Sequence, residues 1–483
     1  MSVLFVASEA YPLVKTGGLA DVAGALPPAL AKAGGDVRLM LPAYPQALDG
    51  VINKKPGRSM GDPFGIGEVA LIEAQMPDSG LPVYLVDCPA LYQRSGSLYQ
   101  QASGEEWPDN HARFALLSQI AARMANPLEG GDWNPDILHV NDWQCGLVPA
   151  YLHYYGISGV KTVFTIHNLR YQGQFDPEIL KIIALPPEAY HVDGVEFHGA
   201  VSFMKAGIFF SDIVTTVSRT YAQEIQTPEY GYGMEGLLKA RSSDLYGINN
   251  GIDYEIWNPE SDQLITRNYN VETLDDKAPN KKTLQREMGL PVDETAPLLG
   301  FVGRLTEQKG VDMIAENLQK ILLGGGQVVL LGTGDPKLEA FLLELASRHK
   351  RISARILYDE ETAHRIIAGC DMFLMPSRFE PCGLTQMYAL RYGTLPIVRR
   401  TGGLNDTVND IKEGGCADGF VFDVPVAQAL GETIERAFAA FGDRSLWRQM
   451  QTNAMNKDFS WDRSAQEYCQ LYERPLAGRE VDL

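Results

Sequence analysis

Lys15-Thr16-Gly17-Gly18-Leu19-Ala20-Asp21-Val22 is the stretch on which the reading of this chain turns. Upstream lies an apolar run, Val3-Leu4-Phe5-Val6-Ala7, that reads as a buried strand. Downstream, Val22-Ala23-Gly24-Ala25-Leu26 opens a helical pattern that continues through Leu30-Ala31. Strand, glycine turn, helix is the geometry in which backbone N–H groups and a helix N-terminus converge on an anion. Two adjacent glycines let the backbone come close to a ligand, and Lys15 adds a mobile positive charge. The lysine precedes the glycines, so the stretch is neither a P-loop nor a G-x-G-x-x-G dinucleotide turn. A tight turn carrying a solvated lysine accounts for the same eight residues.

Outward from this turn, apolar runs alternate with helical patterns. In the first half strands are expected at Val3–Ala7, Val37–Leu41, Val69–Ala74, Val83–Asp87, Ile137–Val140, Thr162–Ile166 and Ile213–Val217, with helices such as Asn110–Met124 and Leu147–Tyr154 between them. Two stretches rich in Gly, Pro and Ser, Lys54–Phe64 and Leu91–Trp107, read as surface loops. At Asn249-Asn250-Gly251 a turn signal precedes a polar, irregular stretch from Tyr254 to Asn280. A second series follows, with strands at Leu298–Val302, Val328–Leu331, Ala354–Leu357, Asp371–Met375, Leu395–Val398 and Gly419–Phe422. Strands alternating with helices predict parallel α/β sheets covered on both faces. The expected domains are 1–247 and 248–457, with a C-terminal segment, 458–483, whose amphipathic helix packs back on the N-terminal domain.

Composition narrows the function. The chain has 483 residues, 61 acidic against 42 basic, and a net charge of -19. That balance disfavours nucleic acid or an anionic membrane as a partner. An anionic small molecule would need locally gathered cations. No apolar run approaches the roughly 20 residues of a membrane span, and Met1-Ser2 lead into the first strand without a basic, apolar leader. The six cysteines are scattered without a C-x-x-C pair, which indicates reduced thiols in a cytoplasmic protein rather than a disulfide framework or a zinc site.

Parallel sheets place ligands at the carboxyl ends of their strands. In the first half those ends carry Lys15-Thr16-Gly17-Gly18, Asn141-Asp142-Trp143-Gln144 and His167-Asn168-Leu169. Asp142 reads equally as the cap of the next helix, and His167 as a packed histidine. In the second half Arg304 and Lys309 flank a short loop. Arg grips oxygens in a fork and Lys adds a point charge, which suits a diphosphate. Gly332-Thr333-Gly334 is a small loop of the kind that contacts a nucleotide, and Tyr358 can stack on a base. Pro376 through Thr385 is the densest stretch: Glu380 sits between Phe379 and Pro381, and Cys382-Gly383-Leu384-Thr385 starts a helix whose free N–H groups suit hydroxyls or phosphate. Thr401-Gly402-Gly403-Leu404 echoes Thr16-Gly17-Gly18-Leu19, suggesting that each domain points a glycine turn at the ligand.

These motifs, together with Tyr171-Gln172-Gly173 and Asn249-Asn250-Gly251-Ile252-Asp253, resemble bacterial glycogen synthases and plant starch synthases over nearly the whole chain. The resemblance implies the GT-B fold, two facing Rossmann-like domains with the active site in the cleft between them. It implies transfer of glucose from ADP-glucose to the non-reducing end of an α-1,4-glucan, with retention. In that picture Lys15 and the Gly17-Gly18 backbone approach the donor's phosphates and sugar. Arg304 and Lys309 neutralise the diphosphate. Glu380 and the Cys382–Gly383 amides hold the glucose hydroxyls, and His167 lies at the anomeric centre. Asp21, Asp142 and Asn249 position donor or acceptor, while Tyr358 and Thr385 face nucleoside and phosphate; Leu384 belongs to the same turn. No metal and no cofactor are implied, and the chain has no Asp-x-Asp triplet. Asn141 and Gln144 stand where the family often has histidines, and Arg170 where a small residue is common, which bears on acceptor preference. Three rivals share parts of this pattern: a sugar-nucleotide epimerase, a pyridoxal-phosphate glucan phosphorylase and a non-catalytic glucan-binding protein.

Overall fold

The computed structural model describes residues 1–477, with side chains to Arg474; residues 478–483 of the expected C-terminal segment lie outside the described residues. The chain forms two compact units, one of residues Met1–Gly251 with the segment from Trp461 onward, the other Ile252–Ser460. These divisions fall a few residues beyond the expected 247/248 and 457/458.

The first unit is built on a nine-stranded sheet. Its strands in chain order are β1 (Ser2–Val6), β2 (Asp36–Pro42), β3 (Arg58–Gly61), β4 (Val69–Gln75), β5 (Pro82–Asp87), β6 (Ile137–Asn141) and β7 (Lys161–Ile166). A small separate sheet takes β8 (Gln174–Phe175), β9 (Glu196–Phe197) and β10 (Ala200–Ser202), and β11 (Ile213–Thr216) and β12 (Leu245–Gly247) complete the large one. The order is β12-β11-β7-β6-β1-β2-β5-β4-β3. β1 lies at the centre, parallel to both neighbours, with Val3 opposite Val37 and Ile137. Val3, Leu4, Phe5 and Val6 are fully buried, as a strand covered on both faces requires.

Two expectations fail here. The Lys54–Phe64 stretch is not all loop: it holds β3, antiparallel to β4, which is itself antiparallel to β5. Buried Met60 gives that edge its hold on the core. Nor is Leu91–Trp107 a mere surface loop. Leu91, Tyr92 and Leu98 are buried, and the buried Arg113 guanidinium donates to the carbonyls of Leu91 (3.0 Å) and Leu98 (2.8 Å). The anchor belongs to the following helix, Asn110–Met124, so the insert's own composition does not reveal it.

The second unit carries a six-stranded, wholly parallel sheet. Its strands are β13 (Leu298–Val302), β14 (Gln327–Leu331), β15 (Ile352–Arg355), β16 (Met372–Met375), β17 (Leu395–Arg399) and β18 (Phe420–Phe422), ordered β15-β14-β13-β16-β17-β18. β15 ends before Leu357, which is exposed. The polar stretch after Tyr254 is anchored by buried polar groups: Asp262 accepts from His364 Nδ1 (2.8 Å) and the Tyr392 hydroxyl (2.7 Å), and Trp257 stacks on His364 at 3.6 Å.

The helix Trp461–Ala477 belongs to the first unit. Trp461, Ala465, Tyr468, Leu471 and Tyr472 form its buried stripe. Tyr472 reaches His139 Nδ1 in β6 (2.5 Å). His139 Nε2 meets Thr165 Oγ1 in β7 (2.6 Å), which meets Thr215 Oγ1 in β11 (2.6 Å). This buried chain of hydrogen bonds ties the helix to three strands. Tyr472→Phe leaves one buried partner unsatisfied, so we expect a loss of about 1–3 kcal/mol in urea unfolding; a value within experimental error of zero would show that the chain contributes nothing.

Candidate active site

In the first unit the carboxyl ends of three adjacent parallel strands, β1, β6 and β7, supply the polar groups. The residues expected from sequence at these ends do share one rim of the sheet. Glu9, two residues past the buried β1 run, is buried. Its Oε2 accepts from Thr16 N (2.5 Å), Thr16 Oγ1 (2.7 Å) and Gly17 N (3.2 Å). Burial pushes this carboxyl up, while the bonds from Thr16, Gly17 and Tyr99 pull it down. Gly17 is the extended residue preceding the helix Gly18–Lys32. Its N–H is taken by Glu9, so the N–H groups of Gly18 and Leu19 are the ones with no acceptor among the described residues. Lys15 Nζ lies 2.7 Å from Asp21 Oδ1.

Asp142 does not cap the turn that follows it, which corrects one of its two readings. It adopts φ 55°, unusual for a residue with a side chain, and its Oδ1 turns back to accept from His167 N (2.7 Å) and Asn168 N (3.3 Å). Burial pushes its carboxyl up to about 7. His167 donates from Nε2 to Asn141 Oδ1 (2.9 Å), because Asn141 Nδ2 is committed to the Val6 carbonyl (3.0 Å) and so fixes the amide's orientation. Nδ1 is then an acceptor. Burial pushes the ring down to about 3, so it is neutral at physiological pH. Asn249, beyond β12, has its Oδ1 buried without a hydrogen-bond partner, while its carbonyl accepts from Ser464 Oγ (2.7 Å).

In the second unit Glu380 is 7% exposed. Its Oε2 accepts from Lys309 Nζ (2.5 Å) and Ser377 Oγ (2.9 Å); Oε1 has no hydrogen-bond partner among the described residues. Lys309 therefore links the Arg304–Gly310 loop to the Pro376–Glu380 loop. Gly310, at φ +71°, is where the two loops touch, since a Cβ there would lie 2.2 Å from the Pro376 carbonyl. Arg378 grips Asp312 through two bonds (2.8 and 2.6 Å) and clamps the same loops from the side. Arg304 is exposed and makes no ion pair among the described residues. The N–H groups of Gly383, Leu384 and Thr385, at the start of the helix Thr385–Arg391, have no acceptor among the described residues. The Cys382 side chain is buried and Tyr358 is exposed.

One sequence expectation is corrected. Gly402 and Gly403 are buried, and a Cβ on either would lie 1.9 Å from the Glu380 carbonyl or 2.0 Å from that of Cys382. This turn packs against the Glu380 loop as a buttress. The Gly332-Thr333-Gly334 loop spends its Gly334 N–H on Glu339 (2.7 Å) and pairs with Leu305. Glu9 and Ser377 were not singled out from sequence, and Asn141 only as a departure from the family's pattern. A carboxylate directly after β1 was the only signal for Glu9. Among the described residues no cluster of three or more His, Cys, Asp or Glu side chains could hold a metal, and no helix could cross a membrane.

The Asp142 carboxyl holds its proton up to about pH 7 when folded and releases it near pH 4 when unfolded. Its stabilising contribution is complete at low pH and is lost as pH rises through that window. Asp142→Asn keeps the acceptor but does not titrate. Its stability relative to the parent should therefore rise between about pH 4 and about pH 7; a difference independent of pH in denaturant titrations would contradict this.

Residues 2–240 match the starch synthase catalytic domain family and residues 286–455 match glycosyl transferases group 1. The chain is 49% identical over 480 residues to a glycogen synthase of Rhodospirillum rubrum, covering 99% of each. It is 50% identical over 480 residues to that of Paramagnetospirillum magneticum, covering 98% of this chain and 97% of the relative. Among solved structures it resembles the catalytic domain of starch synthase IV from Arabidopsis thaliana, bound to ADP and acarbose, with TM-score 0.89 and 34% identity over 98% of this chain and 99% of that one. A sucrose-phosphate synthase from Thermosynechococcus elongatus, at 18% identity and TM-score 0.60 over 99% of both chains, shares the fold. With two α/β units on parallel sheets and relatives of this closeness along its whole length, the chain belongs to the glycogen and starch synthase family of GT-B glycosyltransferases.

Proposed function

We propose that the protein transfers glucose from ADP-glucose to the non-reducing end of an α-1,4-glucan such as glycogen, with retention, in the cytoplasm and without a resident cofactor. The observation that carries this reading is Glu380. One of its oxygens is fixed by Lys309 and Ser377, and the other is left to meet a sugar hydroxyl. The same lysine is thereby presented to the donor's diphosphate, with the unpaired Arg304 on the same loop. A plain glucan-binding protein needs no such joint sugar and diphosphate site. The family match sets aside the epimerase and phosphorylase alternatives. The ADP recorded for the starch synthase IV neighbour favours adenosine as the donor's nucleoside.

In this mechanism the bond from the glucose anomeric carbon to the β-phosphate oxygen breaks as the glucan 4-hydroxyl bonds to the same face of that carbon. The hydroxyl's proton goes to the departing phosphate. Arg304 and Lys309 stabilise the negative charge that gathers on ADP. Neutral His167, an acceptor at Nδ1, takes a hydrogen bond from a glucose hydroxyl, and its backbone is held by Asp142. Gly383, Leu384 and Thr385 offer N–H groups to hydroxyls or phosphate, and Tyr358 offers a ring to the adenosine. Lys15, Asp21 and Asn249 complete the donor and acceptor contacts.

Purified protein with ADP-glucose and glycogen should release ADP and lengthen the glucan, and UDP-glucose should serve poorly. Efficient use of UDP-glucose with background rates from ADP-glucose would refute the donor assignment. Arg304→Ala and Lys309→Ala should each lower kcat by about 100-fold or more. Rates near that of the parent in both variants would remove the diphosphate clamp.

A further inference from the structure

We propose that Glu9, together with Tyr99, is a positioning residue of the transfer site. Its carboxylate sets the conformation in which residues 15–18 present Lys15 and the Gly18 N–H to the donor. The inference rests on the reading of this turn as donor-facing.

Glu9 is 3% exposed, yet every hydrogen bond it makes goes to a loop. Three come from Thr16 and Gly17. The fourth comes from the Tyr99 hydroxyl, 3.2 Å from Oε1, which also lies 2.8 Å from Ser8 Oγ. Tyr99 arrives on the 91–107 insert and is itself anchored. Its carbonyl accepts from Trp107 N (3.1 Å) and Asn110 Nδ2 (3.0 Å), and the preceding carbonyl, of Leu98, is held by Arg113. A continuous series of bonds thus runs from the helix Asn110–Met124 through the insert to Glu9 and on to the glycine turn.

This arrangement decides which amides face a ligand. Gly17 is drawn out fully, at φ −153° and ψ −168°, by a carboxylate that binds its own N–H and both donors of Thr16. The first N–H beyond the carboxylate's reach is that of Gly18, the first residue of its helix. Without Glu9 the turn keeps its two glycines, whose backbone has the widest conformational freedom of any residue, and nothing holds Thr16 and Gly17 in place. A buried side chain whose hydrogen bonds hold a substrate-facing turn acts on turnover through geometry.

The test uses Glu9→Ala, Glu9→Gln and Tyr99→Phe in the full-length protein. Three quantities are read: kcat with ADP-glucose and glycogen, ADP affinity, and hydrogen exchange of the Thr16 and Gly17 amides. Glu9→Ala should lose roughly 10- to 100-fold in kcat and exchange both amides faster. Glu9→Gln, which keeps an acceptor of the same shape, should recover most of both. Tyr99→Phe should shift both in the direction of Glu9→Ala. ADP affinity should fall less than kcat, because Arg304 and Lys309 supply the diphosphate contacts that do not depend on this turn. Unchanged kcat in Glu9→Ala, or exchange of the two amides unaltered in both Glu9→Ala and Tyr99→Phe, overturns the proposal. If Glu9→Ala does not fold, Tyr99→Phe decides alone, since it removes a single hydroxyl. A parent protein inactive with ADP-glucose would defeat the functional reading, while the exchange measurement would still judge whether Glu9 holds the turn.

Discussion

A carboxylate removed from water must find donors, and in this protein the donors it finds belong to loops. Glu9 takes the amides of Thr16 and Gly17, Asp142 takes those of His167 and Asn168, and Glu380 takes Lys309 and Ser377. Each of the three lies just past the carboxyl end of a strand, β1, β6 or β16. Parallel sheets deliver those ends to one rim per unit, and the buried acids then fix the loops that no regular hydrogen-bond ladder reaches. Remove the acids and the sheets would remain while the rim lost its shape.

This division of labour explains the chemistry each unit can offer. His167 is neutral because its ring is desolvated, and it accepts at Nδ1 because Asn141 claims Nε2. It is thus suited to orienting a hydroxyl rather than to carrying charge. In the second unit Arg304 is exposed and Lys309 is joined to Glu380. In a chain with net charge -19, these two cations are the groups on which the proposed diphosphate contact rests.

Much of the sheet architecture was legible in the sequence because buried parallel strands leave unbroken apolar runs, as in Val3–Ala7 or Leu298–Val302. The Asn110–Met124 helix was read at its observed bounds. Features that depend on partners far along the chain were not legible. Met60 and Arg113 anchor segments whose Gly and Ser content reads as loop. Glu9 acts through residues seven and eight positions on. Asp142 has the sequence signature of a helix cap and is instead a backward-facing acceptor at positive φ. The Gly402-Gly403 pair shares its letters with Gly17-Gly18 but is packed under Glu380 and Cys382. Similar sequence pointed to similar local turns, and only burial separated the turn held by Glu9 from the buttress.

The proposed function is the transfer of glucose from ADP-glucose, with its configuration kept, to a glucan. Proton NMR of the protein turning over ADP-glucose with a short maltooligosaccharide tests it most directly. New α-1,4 anomeric signals should grow from the first time points in step with released ADP. A β-linked product, or ADP released without growth of the glucan, would contradict it.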